Sequence, residues 1–192
     1  PDLLFFSVDY GKRRVRDQYK NHRCKKIFYT GENVRPNFDN PESIECSRFS
    51  IGQSDIAFTF DYSDDPRNYR FPLWAFFIDW FDVGYNDNRD PAYLVPLDSI
   101  VDRNTGIKNS FCNFLFSNRI DILNTTRQYK DVTCAGTLAN NTNNRVEGRG
   151  DQIYKINFIS DFKFTIAAEN SKHDGYVTEK IIHPFSVGSI PI

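Results

Sequence analysis

The stretch that most constrains the fold is Phe164–Ile192, reading FTIAAENSKHDGYVTEKIIHPFSVGSIPI. Its apolar run, Phe164–Ala168, has the length of a short buried strand. Polar residues and Gly175 follow and read as a loop. A helical pattern then starts near Tyr176, with Asp174 as its N-cap. On that helix Tyr176, Glu179, Lys180 and His183 fall at i, i+3, i+4 and i+7 and share one face. Val177, Ile181 and Phe185 follow at i+4 steps on another face, suited to packing on a sheet. Pro184 removes a backbone hydrogen bond and predicts a kink or an end of the helix there.

A strand–loop–helix unit with a polar face beside its helix N-terminus suits an anionic ligand. Free N–H groups and the positive end of the helix dipole point at such a ligand. Lys180 adds a mobile cation, Tyr176 a flat ring with a hydroxyl, and Glu179 an acceptor for sugar hydroxyls. Together they suggest a nucleotide diphosphate sugar. On spacing alone, an ordinary solvated helix face explains Glu179 and Lys180 more simply.

Other features narrow the class. Of 192 residues, 24 are Lys or Arg and 25 are Asp or Glu, a net charge of −1. A sequence-blind nucleic-acid binder would carry a clear basic excess, so the balance argues against that class. Hydrophobic content of 40% and aromatic content of 16% support a real core. No apolar stretch approaches the length that spans a bilayer, and no signal pattern opens the chain. Pro1 leads straight into an apolar run, Ile192 ends inside one, and Met is absent. The chain is therefore expected to be a piece cut at both ends. Cys24, Cys46, Cys112 and Cys134 include no CxxC pair, which argues against a zinc site. Cys112 sits in an apolar run and reads as a buried free thiol. Asn124-Thr125-Thr126 and Asn140-Asn141-Thr142 are glycosylation sequons too common by chance to fix a compartment.

Leu3–Val8 reads as a buried strand, Asp9–Arg23 as a polar turn or short helix, and Ile27-Phe28-Tyr29 as a second strand. Thr30–Phe38, with Gly31 and Pro36, is a loop at that strand's end, where open α/β sheets bind ligands. Glu32 stands in it; for a lone loop carboxylate, solvent exposure or a turn hydrogen bond is the commoner fate. Asp39–Gln53 is irregular, and Asp55–Phe60 is a third strand. Asp61, Asp64 and Asp65 invite a metal reading, but the spacing is not Asp-x-Asp and a hydrated turn is preferred. Trp74–Phe81 is an aromatic run expected in the core, with an acceptor-sugar platform as the alternative. Tyr85–Asp102 reads as loop or linker. A second domain is expected to begin near Gly106, with a strand at Phe111–Phe116, a helix at Arg119–Tyr129, a strand end and Gly/Asn loop within Asp131–Asn144, and a helix at Gly150–Asp161. No internal repeat is evident. Strands alternating with helices predict two α/β domains with mainly parallel sheets.

Two motifs carry a resemblance. Asn170 through Lys180, followed by Gly188-Ser189-Ile190-Pro191-Ile192, resembles the donor-site signature of the alpha-1,3/1,4-fucosyltransferases of glycosyltransferase family 10. Phe28-Tyr29-Thr30-Gly31-Glu32-Asn33, with Pro36-Asn37-Phe38, resembles that family's N-terminal motif, bacterial members especially. Tyr69–Leu73 is similar to a family segment that follows the Asp-rich turn. The resemblance covers nearly the whole chain, specifically at the two motifs and loosely between them. The chain departs at Ala168, where many members carry Phe. It departs again at Ala139, where some place an Arg for the pyrophosphate; Arg145 or Arg149 could substitute or stand solvated. Members usually continue beyond Ile192 with Tyr-Trp-Gly.

The resemblance implies a GT-B arrangement, two Rossmann-like domains with the active site in the cleft between them. Residues 1–105 would be the latter part of the acceptor-side domain and 106–192 the first part of the GDP-fucose domain. It implies an inverting transfer of fucose from GDP-fucose to a hydroxyl of an oligosaccharide acceptor containing galactose or N-acetylglucosamine. Glu32 would be the general base. Asn170, Tyr176, Val177, Glu179 and Lys180 would hold the donor, with Glu179 on the ribose and Lys180 on the pyrophosphate. No cofactor and no essential divalent metal are implied. Membrane association, if any, would be peripheral, through parts outside this chain. The compartment would be the cytoplasm if the source is bacterial and the Golgi lumen if eukaryotic. The alternatives are a non-catalytic nucleotide-sugar or glycan-binding module on the same scaffold, and a transferase using another GDP-sugar.

Overall fold

The computed structural model describes residues 2–7, 21–33, 54–81, 94–101, 106–117, 119–146 and 152–192. Pro36-Asn37-Phe38, Cys46, Asp39–Gln53, most of Tyr85–Asp102 and Arg149 lie outside the described residues, as does nearly all of Asp9–Arg23. The chain forms two compact units. The first comprises Pro1–Ala75 and Asn170–Thr178, and the second Phe76–Glu169 and Glu179–Ile192.

In the first unit, β1 (Leu3–Ser7), β2 (Lys25–Thr30), β3 (Ile56–Thr59) and β4 (Asn68–Arg70) form one sheet in sequence order. Every neighbouring pair is parallel, with Phe6 opposite Phe28 and Phe28 opposite Ala57. Those three residues pack together: Phe28 and Ala57 are fully buried, and the Phe6 ring lies 5.2 Å from that of Phe28. Leu3–Val8 was expected to be buried throughout. Instead β1 is an edge strand whose alternate residues face outward, with Leu3 51% and Phe5 68% exposed. Period-2 geometry sends successive side chains to opposite faces, and an apolar run does not reveal that only one face is covered.

In the second unit, β7 (Ser110–Phe114), β8 (Thr133–Cys134), β9 (Phe162–Thr165) and β10 (Ile190–Pro191) form a parallel sheet in the order β10-β9-β7-β8. A separate two-stranded parallel pair, β5 (Ile78–Asp79) and β6 (Val95–Pro96), precedes it in sequence. The core holds Cys112, Phe114, Leu123, Val132, Cys134 and Ile166. Cys112 is the buried thiol expected; desolvation pushes it up to about 11. The helices are α1 (Leu97–Val101), α2 (Ile120–Arg127), α3 (Gln152–Ile159) and α4 (Glu179–Ser186). Asn113 on β7 is fully buried. Its amide donates to Thr165 Oγ1 at 2.8 Å and to the Phe164 carbonyl at 3.3 Å, tying β7 to β9. Thr165 Oγ1 continues the buried polar chain to Ser189 Oγ at 2.8 Å.

Two further expectations change. The Trp74–Phe81 run is not uniformly core. It makes a 3₁₀ turn, Leu73–Phe77, and then β5, burying Ala75 and Ile78 but leaving Phe76, Trp80 and Phe81 at 50%, 44% and 84% exposure. Three residues per turn spread consecutive rings around the axis, so they cannot all point one way. The last helix begins at Glu179, three residues after the expected start. It runs through Pro184 to Ser186 rather than stopping at the proline. Its buried residues are Ile182, His183, Pro184 and Ser186, whereas Phe185 is 44% exposed, so the Val177/Ile181/Phe185 face is not the packing face.

Candidate functional site

Glu32 follows the carboxyl end of β2, and its position is built locally. The buried Thr30 hydroxyl accepts from the Glu32 N–H at 3.1 Å and donates to the Glu32 carbonyl at 3.1 Å. This double bond to one side chain fixes a tight bend. Gly31 makes the bend possible, since a Cβ there would stand 2.6 Å from the Tyr29 hydroxyl and 2.7 Å from Leu73 Cβ and Cδ1. Gly31→Ala is accordingly expected to cost about 1–3 kcal/mol through overpacking. A urea midpoint unchanged from the parent would contradict that steric argument. Burial, then the Glu32 charge, hold the Tyr29 hydroxyl well above its ordinary titration range, so it stays protonated beside the carboxylate.

The segment Asn170–Thr178 belongs to the same compact unit as Glu32, although the residues bonded to both its ends belong to the other. Asp174-Gly175 forms a turn rather than a helix cap, with the Tyr176 N–H donating to the His173 carbonyl at 3.1 Å. Gly175 adopts φ 81° with the Phe60 carbonyl 2.6 Å from where a Cβ would be. Both facts require glycine. The Tyr176 ring packs edge-on to the buried Phe60, centroids 5.2 Å apart, and His173 meets the same ring at 5.7 Å. The Trp74 N–H donates to the Val177 carbonyl at 3.3 Å. So seated, the segment places the Tyr176 hydroxyl 3.5 Å from Glu32 Oε2, and Asn33 Nδ2 donates to Ser171 Oγ at 3.0 Å. Tyr176 therefore does not share a helix face with Glu179, Lys180 and His183. Asn170, Tyr176 and Val177 lie with Glu32 in the first unit, while Glu179 and Lys180 lie in the second.

In the second unit the Lys180 ammonium stands between two carboxylates, 3.5 Å from Glu169 Oε2 and 3.5 Å from Glu179 Oε1. Burial alone would raise the Glu179 carboxyl, but Lys180, then Lys155 and His183, outweigh it and hold the carboxyl below its usual range. Lys155, on α3, donates from Nζ to His183 Nδ1 at 3.2 Å. Burial pulls that ammonium's pKa down, with Glu179 opposing. His183 is fully buried and its titration is lowered to about 3, first by desolvation and then by Lys155. It is thus neutral and structural, not part of an exposed polar face.

Two residues in this group escaped the sequence reading. Lys155 had one usable signal, a single cation in the mainly apolar run Ile153–Ile159. Arg119 had none. It adopts φ 76°, ψ 39°, an uncommon region for a non-glycine residue. Its Nε and Nη2 both donate to the Glu169 carbonyl, at 3.2 and 2.9 Å. It therefore fixes the main chain beyond the end of β9, just before Asn170. Arg145 is exposed. Ala139 occupies the left-handed region at φ 53° and packs against the second unit's core. In the Asp-rich turn, Asp65 is engaged by Arg67 at 2.7 and 3.0 Å. Among the described residues no group of three His, Cys, Asp or Glu side chains is placed to hold a metal ion.

Comparison with known proteins places these features in context. Residues 1–77 match the family described as the alpha-(1,3)-fucosyltransferase FucT N-terminal domain, and residues 107–192 match the glycosyltransferase family 10 (fucosyltransferase) C-terminal family. The chain is 28% identical over 214 residues to the alpha-(1,3)-fucosyltransferase FucT of Helicobacter pylori, spanning 98% of this chain and 41% of that protein. It is 33% identical over 95 residues to a putative fucosyltransferase, R654, of Acanthamoeba polyphaga mimivirus, spanning 44% of this chain and 16% of that one. The chain thus spans less than half the length of these curated relatives. A crystal structure of an alpha1,3-fucosyltransferase matches all of this chain and 56% of its own, at 25% identity and a TM-score of 0.65. One with GDP-fucose matches all of this chain and 68% of its own, at 21% identity and a TM-score of 0.61. The α/β fold with mainly parallel sheets is the GT-B-like fold of those structures.

Proposed function

We propose that this chain, which belongs to the family 10 glycosyltransferases, the fucosyltransferases, carries the catalytic base and donor-binding groups of an inverting transferase that moves fucose from GDP-fucose to a glycan hydroxyl. The observation that carries the reading is the meeting of Glu32 and the Asn170–Thr178 segment in one packed unit, with Tyr176 Oη 3.5 Å from the Glu32 carboxylate. More than a hundred residues of sequence separate the two motifs, and a solvated loop carboxylate would have no reason to be seated there.

The chemistry follows from the groups present. Glu32 accepts the proton of the acceptor hydroxyl as that oxygen attacks the anomeric carbon of fucose. The bond from that carbon to the diphosphate breaks on the opposite face, and GDP leaves with the electron pair. Negative charge grows on the diphosphate as the bond breaks. Lys180, in the first turn of α4, meets it, so its effect falls on the transition state rather than on binding alone. Asn170, Tyr176 and Val177 line the donor, and Glu179, kept ionised, accepts from ribose hydroxyls. Lys180 supplies the positive charge the leaving group needs, and no divalent metal or other cofactor enters the scheme. The acceptor is a galactose- or N-acetylglucosamine-containing oligosaccharide.

The test is GDP release from GDP-fucose by the full protein across a panel of such acceptors. Acceptor-dependent release is expected; GDP binding without release against any acceptor would favour a binding module instead. Lys180→Ala is expected to weaken GDP binding roughly 10- to 100-fold, the size of a lost charge-assisted contact. Unchanged affinity by calorimetry would contradict the donor-site assignment.

A further inference from the structure

We infer that Ser171 and Tyr176 are positioning residues for Glu32, so that the donor-binding loop itself aims the base. This rests on the reading of Glu32 as the base and adds two residues that act through it. The geometry is specific. Glu32 and Asn33 are adjacent, and each is reached by a different residue of the loop: the Tyr176 hydroxyl donates to Glu32 Oε2 at 3.5 Å, and Ser171 Oγ accepts from Asn33 Nδ2 at 3.0 Å. The Glu32 main chain is already tied to Thr30, but that tie leaves the carboxylate's direction open. The loop, in contrast, is seated on fixed groups. Gly175 lies against the Phe60 carbonyl, Tyr176 against the Phe60 ring and Val177 on the Trp74 N–H, while the Arg70 guanidinium reaches the Gly175 carbonyl at 3.5 Å.

Two contacts from a seated loop onto neighbouring residues define an orientation, where one contact would leave a hinge. The Tyr176–Glu32 contact is long for an O–H to carboxylate hydrogen bond, as expected before reactants arrive; such contacts tighten in the reactive complex. Donor engagement by the loop then orders the base before the acceptor is deprotonated.

The experiment is hydrogen exchange on the full protein without ligand, followed by steady-state kinetics. In Ser171→Ala the amides of Gly31, Glu32 and Asn33 are expected to exchange about fivefold faster, the size of one lost hydrogen bond. Tyr176→Phe, which keeps the ring, should do the same. In kinetics Ser171→Ala should lower kcat about tenfold through misplacement of the base, with the KM for GDP-fucose unchanged. Unaltered exchange at residues 31–33 in both single variants, or a Ser171→Ala defect confined to KM, would overturn the inference. Failure of the base assignment shows separately, as undiminished turnover in Glu32→Gln, and leaves the ligand-free exchange result to decide whether the loop positions residue 32.

Discussion

Glu32→Gln is expected to bind GDP as the parent chain does and to turn over about 10²–10⁴ times more slowly, the usual effect of removing a positioned general base. The substitution is chosen because it changes so little else. The Thr30 hydroxyl bonds only the main chain of residue 32, so the bend at Gly31 is kept. The Tyr176 hydroxyl can donate to an amide oxygen as it does to a carboxylate oxygen. Shape and seating survive, and the capacity to accept a proton at neutral pH does not. Lys180 and Glu179, in the other compact unit, are untouched, so affinity for GDP measured by calorimetry should not move. Single-turnover rates with saturating donor and acceptor separate the chemical step from product release. Parent-like turnover would remove Glu32 from the mechanism. A matching loss of GDP affinity would mean that the substitution had disturbed the donor loop instead.

The parts of the site that were legible in the sequence are those fixed by short-range rules. Strand ends followed by Gly-containing polar loops mark where ligands bind in an open α/β sheet; Glu32 and Asn170 lie beyond such ends, but only the motif resemblance singled them out as candidates. Parallel pairing was legible too, from strands alternating with helical segments. What periodicity could not give was anything set by a distant partner. Tyr176 sits three residues before Glu179, so its spacing fits a helix perfectly well. The main chain there is instead held in a turn by Gly175 at φ 81° and by packing on Phe60, more than a hundred residues earlier. His183 shows the same limit from the other side. Its spacing places it with Glu179 and Lys180, but half a turn of helix separates solvent from core. Which half is buried depends on Phe77 and Lys155, which the local pattern does not contain. Arg119 is the extreme case: its role depends on a carbonyl 50 residues on and on a left-handed backbone that no residue-type rule predicts for arginine.

Acidification from about pH 7 to about pH 5 is expected to destabilise the fold by roughly 2 kcal/mol through His183 alone. The ring accepts from Lys155 at Nδ1, so in the neutral form Nε2 carries the proton; Nε2 is buried with no hydrogen-bond partner among the described residues. The ring meets Phe77 edge-to-face, 5.5 Å between centroids at 89°. A second proton would place a cation in that apolar setting beside Lys155 and Lys180, opposed by Glu179. Hence the folded-state titration lies at about 3, against 6.5 for the ordinary residue. The sign follows. Between those values the unfolded chain binds a proton that the folded chain does not, so stability falls as pH drops below 6.5, by about 1.4 kcal/mol per unit. Glu179 acts in the same direction but later. Its carboxyl is depressed below the usual value of 4.5, so its contribution persists above that pH and is lost only as pH falls through its lower folded value. The interval from 6.5 down to 4.5 therefore excludes Glu179; Lys155, whose ammonium is also depressed by burial, acts with the same sign as the histidine, so a His183 variant is needed to read the imidazole's share. His183→Asn keeps an oxygen that can accept from Lys155 but cannot charge. It should lose some stability at pH 7, since packing against Phe77 is lost, yet its urea midpoint should change much less than the parent's between pH 7 and pH 5. Equal acid losses in the two proteins would place the sensitivity elsewhere. A steeper parent slope would show that the cluster carrying Glu179 and Lys180 is built around an imidazole that must stay neutral.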